Sequence, residues 1–236
     1  VKKKTIIAID GPAGAGKTTI ARMVSRKLRY NYIDTGAMYR AISWKTIREK
    51  INLRARKDLV RMVRNTRIEL KNKAGMMRVY LDGKDVTNKI RSKRVDEKAS
   101  VLGTIPEVRE QLVKIQRKLG SSGGIVVEGR DIGTVVFPRA DYKFYLDASI
   151  KERALRKYRE LKEKGEEVVL AKLEKAIRSR DRRDRTRKVA PLKIAPDAIV
   201  IDSTDMSKKE VVDFILNKIG MGENPDKLGI ERQAKA

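Results

Sequence analysis

The sequence contains neither cysteine nor histidine. The first absence removes disulfides, thiolate nucleophiles and most zinc sites; the second removes every mechanism that needs an imidazole base. Chemistry on this chain must therefore run on Asp, Glu, Lys, Arg, hydroxyls and a hard metal ion. Long apolar runs are missing too, so no segment reads as a membrane span, and Val1-Lys2-Lys3-Lys4 is not followed by an apolar stretch of signal-peptide length. A cytoplasmic protein with no membrane partner is expected. Aromatic residues are scarce, at 5%, and no RNP-like or helix-turn-helix pattern is present. Acidic residues are in deficit: 31 Asp and Glu face 57 Lys and Arg, a formal net charge of +26. That surplus attracts any polyanion, so nucleic-acid binding is expected to be weak and non-specific at most. The same Lys, Arg and Glu richness is also found in heat-adapted proteins.

What the sequence does contain begins with Gly11-Pro12-Ala13-Gly14-Ala15-Gly16-Lys17-Thr18-Thr19, a complete G-x-x-x-x-G-K-[ST] phosphate loop. It follows the short apolar run Thr5-Ile6-Ile7-Ala8-Ile9 and precedes Ile20, Met23, Val24 and Leu28 at helical spacing. Strand, loop and helix thus arrive in the order that lets backbone N–H groups close around phosphates at a helix N-terminus. Lys17 is expected to reach the β- and γ-phosphates, and the Thr18 hydroxyl to bind a Mg²⁺ ion. Thr18 is expected to open the helix.

The chain then alternates strand-like and helix-like segments, which predicts a doubly wound α/β fold around a five-stranded parallel sheet. Its strands are expected at 5–9, 30–34, 125–127, 142–146 and 198–202. A helix is predicted from Thr35-Gly36 to about Lys50, another from Thr104-Ile105-Pro106-Glu107, and capping boxes at Ser149-Ile150-Lys151-Glu152 and Ser207-Lys208-Lys209-Glu210. Ile68 and Leu70, then Met77, Val79 and Leu81, alternate with polar residues across a turn-like stretch, which reads as an antiparallel hairpin inserted at 53–98. Residues 221–236 lack periodicity and read as a mobile tail beyond a domain spanning 1–220.

Further polar constellations fall where strand carboxyl ends line the crevice of such a fold. Asp34-Thr35-Gly36-Ala37-Met38-Tyr39-Arg40 offers Arg40 as an anchor for a second phosphate, although an N-cap at Thr35 followed by an ordinary surface arginine accounts for the same spacing. Glu128-Gly129-Arg130-Asp131-Ile132-Gly133-Thr134 sets polar groups among glycines that permit close approach to a ligand. Residues 178–188 carry seven Lys or Arg and two Asp, Asp181 and Asp184. Arginine forks at that density suit the oxygens of a transferring phosphoryl group, and the interspersed aspartates suit a sugar hydroxyl.

Taken together, IDGPAGAGKTT, DTGAMYR, EGRDIGTVVFP, FYLDAS, RDRRDRTR and KVAPLKIAPDAIVIDST resemble the bacterial cytidylate kinases, P-loop kinases of nucleoside monophosphates, across residues 5–205. The hairpin insert, with Asp85-Val86-Thr87 and Ile90-Arg91, resembles that family's monophosphate-binding subdomain, and 155–188 its lid. The resemblance implies transfer of the γ-phosphoryl group of ATP to CMP or dCMP, with Mg²⁺ as cofactor, by a monomer. It implies that Gly11 to Thr19 bind ATP, and that Lys17, Arg182 and Arg185 stabilise the transferring group. On the acceptor side it implies Ser100, Arg109 and Asp131 for the cytosine, Arg40, Arg130 and Arg187 for the monophosphate, Arg180 and Asp184 for the ribose, and Thr35 beside them. An acceptor phosphate is already anionic near neutrality, so no general base is needed and a site without histidine suffices. A kinase of another small acceptor such as AMP or UMP shares the loop and arginines but not the base-reading set, and a basic nucleic-acid-binding P-loop protein shares only the loop and the charge.

Overall fold

The computed structural model describes residues 5–73 and 76–221. β1 (Ile6–Asp10) is buried on both faces, as its unbroken apolar run requires, and lies at the centre of a five-stranded sheet of order β2-β6-β1-β7-β8. The flanking strands are β2 (Asn31–Asp34), β6 (Ile125–Gly129), β7 (Tyr142–Asp147) and β8 (Ile199–Asp202). All pairings are parallel; Ile6 to Asp10 align with Ile125 to Gly129 on one side, and Ile7 to Asp10 with Tyr142 to Tyr145 on the other. The expected fold is therefore observed. Because the chain winds from β1 first toward β2 and β6 and then toward β7 and β8, the switch point lies at the carboxyl end of β1. The phosphate loop leaves from that point.

Helices α1 (Lys17–Leu28) and α8 (Lys208–Lys218) cover one face, burying Ile20, Val24, Val211, Val212 and Ile215 against Ile7, Ile9 and Phe144. The other face carries α5 (Pro106–Gly120), packed on Val127, Ile132 and Val136. A further core gathers α2 (Thr35–Arg48), α3 (Arg56–Arg64) and α4 (Lys93–Leu102) under a small antiparallel sheet. That sheet is the expected insert, enlarged from two strands to three: β3 (Ile68–Lys73) and β4 (Met76–Leu81) pair from Ile68↔Leu81 to Lys73↔Met76, and the short β5 (Lys84–Asp85) adds at the other edge. Val79 and Leu81 are buried, and Asp85 accepts from the Thr87 N–H. α6 (Ile150–Glu163) and α7 (Leu170–Thr186) pack on each other beyond β7.

Helix starts differ in detail from the sequence expectations. α1 begins at Lys17, after a left-handed Gly16, one residue before Thr18. Asp34, not Thr35, caps α2, accepting from the Ala37 N–H at 2.8 Å, which releases the Thr35 hydroxyl; α2 ends at Arg48. α5 starts with Ile105 as cap and Pro106 in the first turn, where a missing N–H costs nothing, while Thr104 bonds back to the Val101 carbonyl. The full capping box forms at Ser207 and Glu210. At Ser149 only half of it forms: the Ser149 N–H donates to Thr204 Oγ1 at 2.9 Å, and the Glu152 carboxylate pairs with Arg156 at 2.9 Å. The expected mobile tail lies, from residue 222 onward, outside the described residues.

Candidate active site

The phosphate loop closes tightly on the sheet. Gly11 lies at φ +148°, and a Cβ there would run into the Leu146 carbonyl of β7; Gly14 and Gly16 hold φ +79° and +90°. Two arginines of α6 brace the loop from behind. Arg153, 2% exposed, donates to the Ala148 and Ala13 carbonyls at 2.9 and 2.8 Å and pairs with Asp181 of α7 at 2.7 Å. Arg156 reaches the Ala15 carbonyl at 3.5 Å and Ser203 Oγ at 3.1 Å. The Ala13 and Ala15 carbonyls are thus engaged, while Gly14, Thr18 and Thr19 are exposed.

Below the loop, Lys17 is buried and donates to the Pro12 carbonyl at 2.5 Å. Burial and the nearby Arg130 and Arg180 guanidinium groups lower its pKa to about 7, against the pull of Glu128 and Asp10. Asp10, at the end of β1, accepts from the Ile132 and Gly133 N–H groups at 2.8 and 2.7 Å, which locks the loop after β6 to the central strand. Burial nonetheless raises its pKa to about 6. Glu128 lies between the strands, its backbone carbonyl accepting from Thr35 Oγ1 at 2.7 Å and its side chain from Tyr32 Oη at 2.5 Å. Burial and Asp34 raise its pKa, while Lys17 and bonds from the Thr18 and Tyr32 hydroxyls oppose the rise.

Around this centre stand Arg40 and Arg130, expected at the monophosphate, and Arg180, expected at the ribose. Arg40 is held by Asp34 at 2.8 Å, so it is a partnered, largely buried cation and no ordinary surface arginine. Burial works against its charge, and Asp34, Asp96 and Glu128 more than compensate. Arg130 pairs with Asp184 at 2.9 Å, and Asp184 stays below the usual carboxylate range despite burial because Arg130 and Arg180 face it. Arg180 is lowered by burial and by Arg130. The Nε groups of Arg40 and Arg180 are both buried without a hydrogen-bond partner. Buried, unpaired donors of this kind carry a large desolvation cost that an anion entering the nest would relieve.

A second buried constellation adjoins it. Asp131 accepts from Arg109 through one oxygen and from Arg187, at 3.5 Å, through the other. Both arginines also donate to the Gly103 carbonyl, Arg109 at 3.1 Å and Arg187 at 3.4 Å. Ser100 Oγ accepts from Arg183 of α7 at 2.9 Å. The Tyr39 hydroxyl is buried beside Arg109, unpartnered, its pKa pushed up to about 12 by burial. The structure thus brings together Lys17, Thr35, Arg40, Ser100, Arg109, Arg130, Asp131, Arg180, Asp184 and Arg187. Arg182 and Arg185 are exposed on α7, Arg185 lying 3.9 Å from Asp147 at the end of β7.

A P-loop and a nest of buried cations describe many phosphate-handling proteins, and the comparison of sequences decides among them. The sequence model of cytidylate kinase matches residues 7–221. The chain belongs to the cytidylate kinase family. A cytidylate kinase from Caldanaerobacter subterraneus subsp. tengcongensis is 49% identical over 213 residues, 90% of this chain and 93% of its own length. One from Caldicellulosiruptor saccharolyticus is 50% identical over 214 residues, 91% and 95% of the two chains. Among solved structures, an uncharacterized protein from Eubacterium ventriosum shares the fold, with TM-score 0.50 at 16% identity over 92% of this chain and 99% of its own. The cytidylate kinase match spans every residue of both buried constellations.

Several residues that organise this cytidylate kinase site escaped sequence reasoning. Arg153 and Arg156 look like ordinary members of a charged helix, and Arg183 stands in the arginine-rich run 178–188 with no role of its own. The one signal was available at Arg153, which sits next to Ala154 on the inward stripe of α6, where a side chain of full charge must have partners. At Arg183 the pairing carried no signal, because its partner Ser100 is 83 residues away. Asp34 and Glu128 belonged to motifs, but their task of holding Arg40, Thr18 and Tyr32 appears only in three dimensions.

Proposed function

We propose that the protein transfers the γ-phosphoryl group of ATP to CMP or dCMP, giving ADP and CDP or dCDP. The observation that carries this reading is the buried Arg109–Asp131–Arg187 group standing beside the P-loop and its arginine nest. Cytosine presents a donor at N4 and an acceptor at N3, and uracil the reverse at O4 and N3. Asp131 supplies a fixed acceptor and Arg109 a fixed donor, so a uracil there would leave buried polar groups unmatched. Membership of the family supports the same assignment.

In this reading residues 1–220 form one kinase domain, 53–98 hold the acceptor and 155–188 act as a lid. Gly11 to Thr19 cradle the ATP phosphates, and Lys17 leaves the Pro12 carbonyl for the β- and γ-phosphates. Arg40, Arg130 and Arg187 hold the monophosphate, the last while it still supports Asp131. Arg180 and Asp184 meet the ribose, and Thr35 positions Glu128. Arg182 and Arg185 are assigned to the transferring phosphoryl group as α6 and α7 close. Among the described residues no cluster of acidic side chains forms a metal cage. A Mg²⁺ ion would be held chiefly by nucleotide phosphates, with the exposed Thr18 hydroxyl and the adjoining Glu128 carboxylate as the protein's contribution. When bound, Mg²⁺ would neutralise charge on the β- and γ-phosphates. The repulsion between two anions is then the main obstacle to transfer, and Lys17 with the arginines lowers it by holding both phosphates in line, away from water.

The test is release of ADP across a panel of CMP, dCMP, UMP, AMP and GMP. Formation of ADP stimulated by CMP or dCMP well above the others is expected. Equal or better stimulation by UMP or AMP would defeat the assignment.

A further inference from the structure

We infer that Arg153 is a positioning residue that joins the phosphate loop to helix α7 and thereby couples the donor and acceptor sites; this rests on the reading of the loop as the ATP site and of Arg180 and Asp184 as acceptor contacts. The buried guanidinium spends each of its nitrogens on a different segment. Nε donates to the Ala148 carbonyl, just past β7, at 2.9 Å, and Nη1 to the Ala13 carbonyl of the loop at 2.8 Å. Nη2 pairs with Asp181 of α7 at 2.7 Å. Because the group is planar and rigid, one side chain sets the spacing between loop and helix. The loop also rests on the backbone of this residue: a Cβ at Gly14 would stand 3.2 Å from the Arg153 carbonyl oxygen.

Each end of this link leads to a substrate. The Ala13 carbonyl and the Gly14 N–H belong to one trans peptide unit, so that N–H points away from Arg153. A phosphate oxygen accepting from it polarises the unit and makes the carbonyl a stronger acceptor for Nη1. The guanidinium is then held more firmly, and with it Asp181. That aspartate follows Arg180 directly in the chain and precedes Asp184 by about one turn of α7. Asp184 pairs with Arg130 at 2.9 Å, and the Asp181 carboxylate also favours the Arg130 charge. The two aspartates of α7 thus divide their tasks, Asp184 among the acceptor arginines and Asp181 on the brace of the loop. Asp181 Oδ1 is buried with no hydrogen-bond partner, so the carboxylate depends on its pairing with Arg153 through Oδ2. A buried ion pair adds little net stability over apolar residues of the same size. Its effect here is to fix where the acceptor helix stands relative to the loop.

The experiment is calorimetric titration with CMP and with the β,γ-imido analogue of ATP plus Mg²⁺, each alone and with the other saturating. The parent protein is expected to bind each ligand about tenfold more tightly in the presence of the other, by the same factor in both directions. Asp181→Asn keeps the shape of the side chain and removes its charge. It is expected to bring that factor close to one, while the Kd of the ATP analogue alone stays near the parent value. Arg153→Lys, whose ammonium cannot span both partners, is expected to lose the factor as well. Loss of stability alone leaves the ratio of the two Kd values unmoved, so the ratio separates coupling from a structural role. Thermal melting accompanies each variant. If Asp181→Asn does not fold, the double variant Arg153→Met/Asp181→Leu, which replaces the pair by apolar side chains, takes its place with the same expected loss of the factor. Independent binding of the two ligands by the parent, or a factor in Asp181→Asn equal to the parent's, overturns the inference. A parent protein that binds the analogue but not CMP defeats the reading of the acceptor site and the inference with it, a result separate from any effect of Arg153 or Asp181.

Discussion

Lys17 is a buried cation among other cations, and its properties follow from that. Burial, with Arg130 and Arg180 nearby, lowers its pKa to about 7 from the usual 10.5. Between those values the unfolded chain binds a proton that the folded chain does not, so this residue makes stability rise with pH from about 7 to about 10. Lys17→Met removes the group, and denaturant unfolding at pH 7 and pH 9.5 is expected to show a flatter pH dependence with the fold intact. Turnover in the same variant is expected to fall by about a hundredfold or more, the scale on which a single preorganised charge acts on a transition state. A variant that is fully active, or that keeps the parent's pH slope, contradicts the assignment. Asp10 has the opposite sign: its pKa is raised to about 6, so its contribution is lost as pH rises through that value. Its two backbone bonds explain why a carboxylate stands there at all.

At the scale of elements, turns and helix starts separate what is local from what is not. Gly11 and Gly83 both have positive φ, yet their surroundings differ. A side chain at Gly11 meets the backbone of β7, whereas a Cβ at Gly83, in the β4–β5 turn, meets nothing within 4 Å. Gly83→Ala is therefore expected to cost only the left-handed conformation, about 1 kcal/mol. Gly11→Ala is expected to displace the loop from the sheet, with a much larger fall in melting temperature and loss of ATP binding. Similar melting temperatures for the two would show that the approach of loop to β7 is not structurally required. The capping boxes make the same distinction. At Ser207 the motif forms as written, while at Ser149 the N–H goes to Thr204 Oγ1 and the Glu152 carboxylate to Arg156, which is also pinned to Ser203. A local motif yields where a charged tertiary partner offers a stronger bond.

Over the whole molecule, the net charge of +26 is not spread evenly in its consequences. Most lysines and arginines are solvated, but Lys17, Arg40, Arg130 and Arg180 are packed together, and the Nε groups of Arg40 and Arg180 have no hydrogen-bond partner. Burial and neighbouring guanidinium groups work against the charges of Lys17 and Arg180, and an anion of matching size would offset both effects. Inorganic pyrophosphate is accordingly expected to raise the melting temperature at constant ionic strength. Saturation at one hundred times the Kd corresponds to about 2.7 kcal/mol. An equal rise with sodium chloride at the same ionic strength would assign the effect to general screening of the surface.

How much of this was written in the sequence depends on whether the determinant is local. The alternation of apolar runs and periodic helices determined the doubly wound sheet, and the spacing of Gly11, Gly14, Gly16 and Lys17 determined a phosphate loop, because strand burial, helix faces and loop conformation are decided within a few residues. Ordered motifs also marked Arg40, Arg130 and Asp131 as site residues. Ser100 and Arg109 entered as candidates only through family resemblance, since each sits on a helix with no chemical signal of its own. The tertiary structure alone decided how the cations are paired: Arg40 on Asp34, Arg130 on Asp184, Arg153 behind the loop and Arg183 on Ser100. The reason is physical. An arginine has the same charge everywhere in a sequence, and only burial and the atoms within hydrogen-bond reach determine whether that charge supports the fold or awaits a phosphate.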